Sequence, residues 1–352
     1  IDDMEGPEWT VAAMSPAKRR IAGQLFERLQ TRFAPGALLH YGQGKWYPGE
    51  PLPRWALGCY WRRDGIALWR DPAWLAGDES AAAPPDSARR LVAGLARQLG
   101  VNAADVIEAH ELPPRGAVAE AAARPKTGPA GYVLPIKPVL SPVAGAATGF
   151  AISWRSSPWP LPGGRLELIP GDSPVGLRLP LGALPPVSAE EREEEEFPRD
   201  PFEEATPLPD PALRVVGKVP ATGGRRALVR TALCVEVRAG LLHVFLPPLM
   251  RAESFVDLIA AIEASAAACG QAVRIEGYPP PADQRLRDFK VTPDPGVIEV
   301  NIQPAADWRE LVDITEVIYE EARQTRLGTE KFMLDGRHTG TGGGNHVVIG
   351  GA

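Results

Sequence analysis

Cysteine is scarce in this 352-residue chain: Cys59, Cys234 and Cys269 are scattered, odd in number and form no CxxC pair. That spacing gives neither a disulfide framework nor a zinc-knuckle pattern, and a reducing cytoplasm fits it best. No apolar run approaches the roughly 20 residues that a membrane helix needs. Basic charge is outnumbered, with 38 Lys and Arg against 44 Asp and Glu for a formal net charge of −6. A general nucleic-acid binder usually carries a basic surplus, so this balance argues against one. The opening residues, Ile1-Asp2-Asp3-Met4-Glu5, are acidic and lack a signal-peptide pattern. The apolar and charged fractions, 44% and 23%, are those of an ordinary soluble globular protein, and the length allows two or three packed units. There is no initiator Met, and the chain stops inside what reads as a strand, so it is expected to be a fragment of something longer.

Glycine and histidine are concentrated at the end. Residues 335–352 hold seven glycines and two of the five histidines, and pass from a glycine-dense loop into Val347-Val348-Ile349. Gly340 and Gly342 to Gly344 remove side-chain bulk, so the backbone can approach a ligand closely, and its N–H groups can form an anion-binding concavity. If 345–349 is a strand, His346 and Val348 share one face, with Asn345, Val347 and Ile349 on the other. A flexible loop ending a hairpin remains the alternative.

Along the chain, Ser15 and Pro16 cap a helix over 17–33, and 37–41 looks like a strand. The segment 42–55 is too rich in Gly and Pro for a regular element. Five of the nine tryptophans lie between Trp46 and Trp74, and a satellite core is the better account of them than a binding box. Lys45 and Arg54 are cations in a loop that can approach a ligand; as bland alternatives they are solvated surface charges. Two short helices are expected over 87–99 and 102–110, a long connection over 113–148, and strands over 150–155 and 165–169. The Glu190–Glu196 run within the Pro-rich segment 185–211 reads as a mobile linker or insertion. The pattern then sharpens: a hairpin over 231–238 and 241–246 around Ala239-Gly240, a helix capped by Ser254 and Asp257 and ending at Gly270, and strands over 272–276 and 297–302. A helix follows over 307–325 with Leu311, Ile314, Ile318 and Ala322 on its inner stripe. Four parts result: 1–148 Trp-rich and helical or loop-like, 149–184 a strand-containing connection, 185–211 the linker, and 212–352 a sheet-and-helix part. The fold class is α+β with a largely antiparallel sheet.

The strands have two unlike faces. Leu233, Val235 and Val237 oppose Glu236 and Arg238; Val273 and Ile275 oppose Arg274 and Glu276; Ile298, Val300 and Ile302 oppose Glu299 and Asn301. If the strands are neighbours, Glu236, Glu276, Glu299 and His346 line one concave face with Arg238 and Arg274. Mg²⁺ takes oxygen ligands shared between carboxylates and phosphates, and arginines can hold phosphoryl oxygens. A sheet with one wet face and no ligand gives the same pattern.

Four segments carry a resemblance: 42–55 (Gly-Gln-Gly-Lys-Trp-Tyr-Pro-Gly-Glu-Pro-Leu-Pro-Arg-Trp), 169–181 (Ile-Pro-Gly-Asp-Ser-Pro-Val-Gly-Leu-Arg-Leu-Pro-Leu), 291–302 (Val-Thr-Pro-Asp-Pro-Gly-Val-Ile-Glu-Val-Asn-Ile) and 327–346. Together they resemble the amidoligase domain of large bacterial transglutaminase-like proteins, which is placed with the glutamine synthetase and glutamate–cysteine ligase superfamily. The resemblance implies a glutamine synthetase-like core, ATP and Mg²⁺ as cofactors, and a carboxylate and an amine, from peptide or protein, as substrates. A linked transglutaminase-like domain is the implied partner, with no nucleic acid and no membrane. Residue by residue, it implies Glu299, Glu276, Glu236 and His346 as metal ligands, although the 236 motif lacks the usual second Glu. Gly342, Gly343, Gly344, Asn345, Lys45 and Arg54 would meet the nucleotide, and Arg337 and Arg274 would neutralise the phosphoryl group. The implied reaction is phosphoryl transfer to a carboxylate followed by amine attack on the acyl phosphate. Two other classes compete with this: a non-catalytic peptide-binding domain that keeps the fold, and cysteine-dependent acyl transfer centred on Cys59.

Overall fold

The computed structural model describes residues 6–50, 53–78, 80–112, 128–142, 150–186, 205–216, 228–332, 335–339 and 346–347. Among these residues the helices are α1 (Pro16–Phe33), α2 (Ser87–Leu99), α3 (Ala252–Cys269) and α4 (Trp308–Gln324). The strands are β1 (Leu38–Gln43), β2 (Trp55–Arg62), β3 (Ile107–His110), β4 (Gly131–Pro135), β5 (Lys137–Pro142), β6 (Phe150–Arg155), β7 (Leu166–Glu167), β8 (Ala232–Arg238), β9 (Leu241–Leu246), β10 (Arg274–Gly277), β11 (Leu286–Asp294), β12 (Val297–Asn301), β13 (Lys331–Phe332) and β14 (His338–Thr339). The fold is α+β and mostly antiparallel. Contacts divide the chain into a first unit, Ile1–Arg70 with Gln284–Ala352, and a second, Asp71–Asp283. Each unit draws its strands together by long-range pairing, so this division does not follow the linear parts expected above.

In the first unit the strand order is β12-β11-β2-β1, antiparallel throughout. One face carries Leu57, Cys59, Phe289 and Val291, with Ile298 and Val300 packed beside them. The helices α1 and α4 cover that face through Ala22, Leu25, Phe26, Leu29 and Ala322. Phe289 meets Phe26 and Phe33 edge-on, at centroid distances of 5.7 and 5.9 Å, a favoured arrangement for aromatic pairs. Ser15 caps α1 by accepting the Lys18 N–H at 3.0 Å, and Asp307 caps α4 by accepting the Glu310 N–H at 2.8 Å. Of the expected inner stripe of α4, Ile314 and Ala322 are buried and Ile318 is packed against the core, while Leu311 is only half-buried.

Two strands here escaped the reading of the sequence. β2 starts within the expected Gly/Pro loop and becomes central, with Trp55 and Trp61 packed on the core and Trp69 fully buried nearby. β11 takes in Thr292 to Asp294, although the prolines at 293 and 295 and Gly296 mark a turn there. The chain reverses only at Pro295-Gly296, where Gly296 has φ +79°. Pro293 is tolerated because pairing with β2 ends at Val291, so its missing N–H interrupts no ladder there.

In the second unit the order is β10-β9-β8-β4-β3-β7, with parallel pairs only at β10–β9 and β3–β7. The β8–β9 hairpin turns at Ala239-Gly240, both at positive φ (51° and 80°), which is the two-residue geometry that matches strand twist. Helices α2 and α3 pack together, and α2 lies over β4, β8 and β9. Gly100, in the left-handed region at φ 68°, closes α2 as expected, and Gly270 closes α3 at φ 61°.

The start of α3 differs from expectation. It begins at Ala252 without a side-chain cap, because Asp257 is held by Trp154 Nε1 at 2.7 Å and Arg214 Nε at 2.8 Å. The expected helix over 102–110 is instead one 3₁₀ turn, Ala103–Asp105, capped by Asn102 and followed by β3. The supposed connection 113–148 contains β4 and β5; β5 pairs with β6 in a separate ribbon. The linker segment 187–204 lies outside the described residues.

Candidate active site

The polar rows anticipated on the strands are real, but they belong to two different settings. In the second unit, register places Glu236 of β8 directly opposite His243 of β9, and His243 opposite Arg274 of β10. Arg238 donates from Nη1 to Glu236 Oε1 at 2.6 Å and to Glu276 Oε1 at 3.1 Å, and from Nη2 to Glu276 Oε2 at 2.5 Å. The same Nη2 lies 3.0 Å from His243 Nδ1, which is itself 3.2 Å from Glu276 Oε2. Glu236, His243 and Glu276 are buried. Burial pushes the Glu276 carboxyl up, yet His243 and Arg238 together pull it below the ordinary value. Guanidinium can only donate and an ionised carboxylate can only accept. A single proton on His243 Nδ1 therefore decides which of the two the ring engages.

This row was expected to line a concave ligand face, with a bare wet face as the alternative, and it is covered instead. Segment 159–184 covers the face, with Trp159, Leu166, Leu168, Val175, Leu179 and Leu184 packing on Val133, Cys234 and Phe245. The 169–181 motif is the clasp. Val175 N–H donates to Glu236 Oε1 at 3.0 Å, and a Cβ on Gly176 would sit 2.2 Å from the Phe245 ring, which only glycine allows. Arg178 ties the motif down through Glu111 at 2.7 and 2.9 Å and the Gly171 carbonyl at 2.6 Å. The Glu111 hydrogen bonds raise the Arg178 pKa. Nothing in the spacing of Arg178 or His243 marked them as members of this network; only the register of β8 and β9 brings His243 in.

In the first unit, the face away from α1 and α4 carries Tyr60, Asp288, Lys290, Thr292, Glu299 and Asn301. Glu299 is exposed; its Oε2 accepts from Thr292 Oγ1 at 3.2 Å, and Thr292 Oγ1 accepts from Asn301 Nδ2 at 3.4 Å. The proposed ligands thus fall into separate units, Glu236 and Glu276 in the second and Glu299 and His346 in the first. Among the described residues no group of three or more His, Cys, Asp or Glu is arranged to hold a metal ion.

The remaining expected site residues are placed as follows. Lys45 is exposed on its loop. Arg54, expected to face a ligand, is buried as a brace: it bonds Glu50 Oε1 at 2.8 Å, Asp294 and the Pro293 carbonyl at 3.3 Å, and stacks 4.0 Å from the Tyr47 ring centroid. Arg274 pairs with Asp78 at 2.7 Å and Arg337 with Asp335 at 2.6 Å, the latter in the open. Of the expected terminal strand, His346 and Val347 are exposed and irregular; Gly342, Gly343, Gly344 and Asn345 lie outside the described residues. Cys59 sits in the core of the first unit, and burial pushes its thiol well above the usual value, the opposite of what an activated thiolate needs.

An α+β chain with charged rows on rigid strands has the makings of a catalytic or binding domain. The chain belongs to the family described as "Putative amidoligase enzyme (DUF2126)", which matches residues 1–127 and 108–352. That description gives it a ligase-like assignment. No curated protein and no solved structure matches it significantly. Among the described residues, no helix is long and apolar enough to cross a membrane.

Proposed function

We propose that this chain is an ATP- and Mg²⁺-dependent carboxylate–amine ligase that forms an amide bond through an acyl phosphate. The observation that carries the reading is the oxygen-rich row on β11 and β12, where the exposed Glu299 carboxylate stands beside the Thr292 hydroxyl on a rigid hairpin. Mg²⁺ is commonly held by one or two carboxylates together with substrate phosphates, and this donor set suits that mode. When bound, the ion would draw charge from the phosphoryl oxygens. Glu236 and Glu276 suit the ligand role less well, because Arg238 already stands between them; their part is to fix Arg238 and His243 in place. Lys45 and Arg337, both exposed, are the cations for phosphate, with the glycine-rich residues 340–345 following Arg337 in sequence.

In the reaction, a substrate carboxylate oxygen attacks the terminal phosphorus of ATP and ADP leaves. The amine then attacks the acyl carbon, inorganic phosphate leaves, and the amine loses a proton. The chain's contribution is positioning and neutralisation of charge. Calorimetry with ATP and Mg²⁺ tests the proposal. Glu299→Gln, close to isosteric and on an exposed position, is expected to weaken Mg²⁺-dependent nucleotide binding at least about tenfold while changing stability by less than about 1 kcal/mol. Full affinity in the Gln variant, or no nucleotide binding by the wild type, overturns it.

A further inference from the structure

A cleft of about 340 Å³ lies away from the charged row of β8–β10, between the start of β3 and the loop that precedes β7. β7 pairs only with Ala109 and His110, so the edge of β3 at Ile107 and Glu108 borders the cleft where a neighbouring strand would otherwise continue. Pro158, Trp159 and Leu161 form the apolar wall. The Trp159 ring is fixed by its Nε1 donating to the Val229 carbonyl at 2.7 Å.

Two opposite charges face this space without neutralising each other. Asp105 is 7% exposed and lines the cleft; among the described residues its carboxylate has one hydrogen-bond partner, the Ser156 hydroxyl, and no cation. Arg165, exposed and lining the same cleft, makes no ion pair with a described residue. Glu108 and His110, with Oε2 and Nε2 3.8 Å apart, complete the rim.

We propose that this cleft binds a small zwitterionic amine, a free amino acid or short peptide, with its ammonium on Asp105 and its carboxylate toward Arg165. A ligand of either single charge would satisfy only one of these two groups. The volume suits a ligand of this size, and the apolar wall accepts its carbon skeleton. Identifying this ligand with the attacking amine of the ligase rests on the function proposed above; its binding does not.

The test is ligand-observed NMR and calorimetry without nucleotide, using glycine, L-glutamate, L-lysine and glycylglycine, with ethylamine and acetate as single-charge controls. At least one zwitterion is expected to bind saturably at millimolar concentration and more tightly than either control. Asp105→Asn and Arg165→Gln are each expected to weaken it at least about tenfold. Arg165 is exposed, so its variant remains informative if Asp105→Asn fails to fold. No saturable binding by any zwitterion, equal binding of ethylamine, or unchanged affinity in the Arg165 variant overturns the proposal. Zwitterion binding in a protein that does not bind ATP would sink the ligase reading and leave the cleft assignment standing.

Discussion

Replacing Arg238 by methionine removes the guanidinium that touches both Glu236 and Glu276 while keeping most of the side-chain length. Removing one partner of a buried ion pair commonly costs about 3–5 kcal/mol, because the other charge stays buried and uncompensated. Here the Arg238 side chain is 30% exposed while the carboxylates are 9% and 6% exposed. Water can replace part of the guanidinium, so the lower end, about 3 kcal/mol at pH 7, is the expected loss. The pH dependence gives the sharper signature. In the wild type the Glu276 carboxyl is held below its ordinary value, so its contribution is complete above the unfolded pKa and fades as pH falls through the folded one. In the variant, burial acts against His243 alone, the folded pKa rises, and the folded state takes up a proton as pH falls. The stability gap between the two proteins therefore narrows from pH 7 toward pH 4. Urea unfolding at several pH values measures the gap, and hydrogen exchange of the β8–β10 amides assigns it to the second unit. A loss below about 1 kcal/mol, or a gap indifferent to acidification, would refute the account of this network.

Other expectations follow from the same geometry. Lys18 is fully buried, with Nζ 2.6 Å from the Asp294 carbonyl and 5.1 Å from the Trp9 ring centroid, and burial lowers its pKa from 10.5 to about 8. The unfolded chain then binds more protons between those values, so stability should rise with pH from about 8 to 10.5. Lys18→Met should abolish that slope, and its persistence in the variant would show that another group causes it. Ile314→Ala should cost about 2–4 kcal/mol in thermal or urea unfolding; a cost typical of surface substitutions would mean that α4 packs through a different stripe. Cys59 should resist iodoacetamide in the native protein at neutral pH and react once unfolded. Rapid native modification, located by mass spectrometry, would revive the cysteine-based reading.

How much of this could be read beforehand differs from element to element. Helices with both local caps and a stripe were legible: Ser15 and Asp307 start α1 and α4, and Gly100 stops α2. The β8–β9 hairpin was legible because Ala239-Gly240 fixes both turn and register. β2 and β11 were not, because glycines and prolines that mark turns elsewhere are accommodated here by packing and by the edge of a ladder. Gly58 illustrates this: a Cβ there would lie 2.6 Å from the Tyr60 ring, so the aromatic side chain occupies the space that the glycine leaves. The polar faces were read correctly, but alternation cannot say what covers a face. Glu299 remained in the open, whereas Glu236 went under the 169–181 clasp and Glu276 was buried against Arg238 and His243. Long-range register decided which carboxylates met His243, and nothing local encodes that.

The division of the chain also has a bearing on how it folds. β2 ends at Arg62 and its partner β11 begins at Leu286, with Leu286 opposite Arg62 in the ladder; the whole second unit is threaded between them. During synthesis the early strands of the first unit emerge and must wait, half-paired, until the residues from Gln284 onward arrive. The inserted unit suffers no such delay, since its strands and both its helices are continuous in sequence. It can fold first, and by doing so it turns a long floppy closure into the meeting of two short tethers. Substitutions that slow the inserted unit should therefore prolong the exposure of β1 and β2, whose apolar face is then uncovered. Their harm would register as aggregation of strands that belong to the other unit.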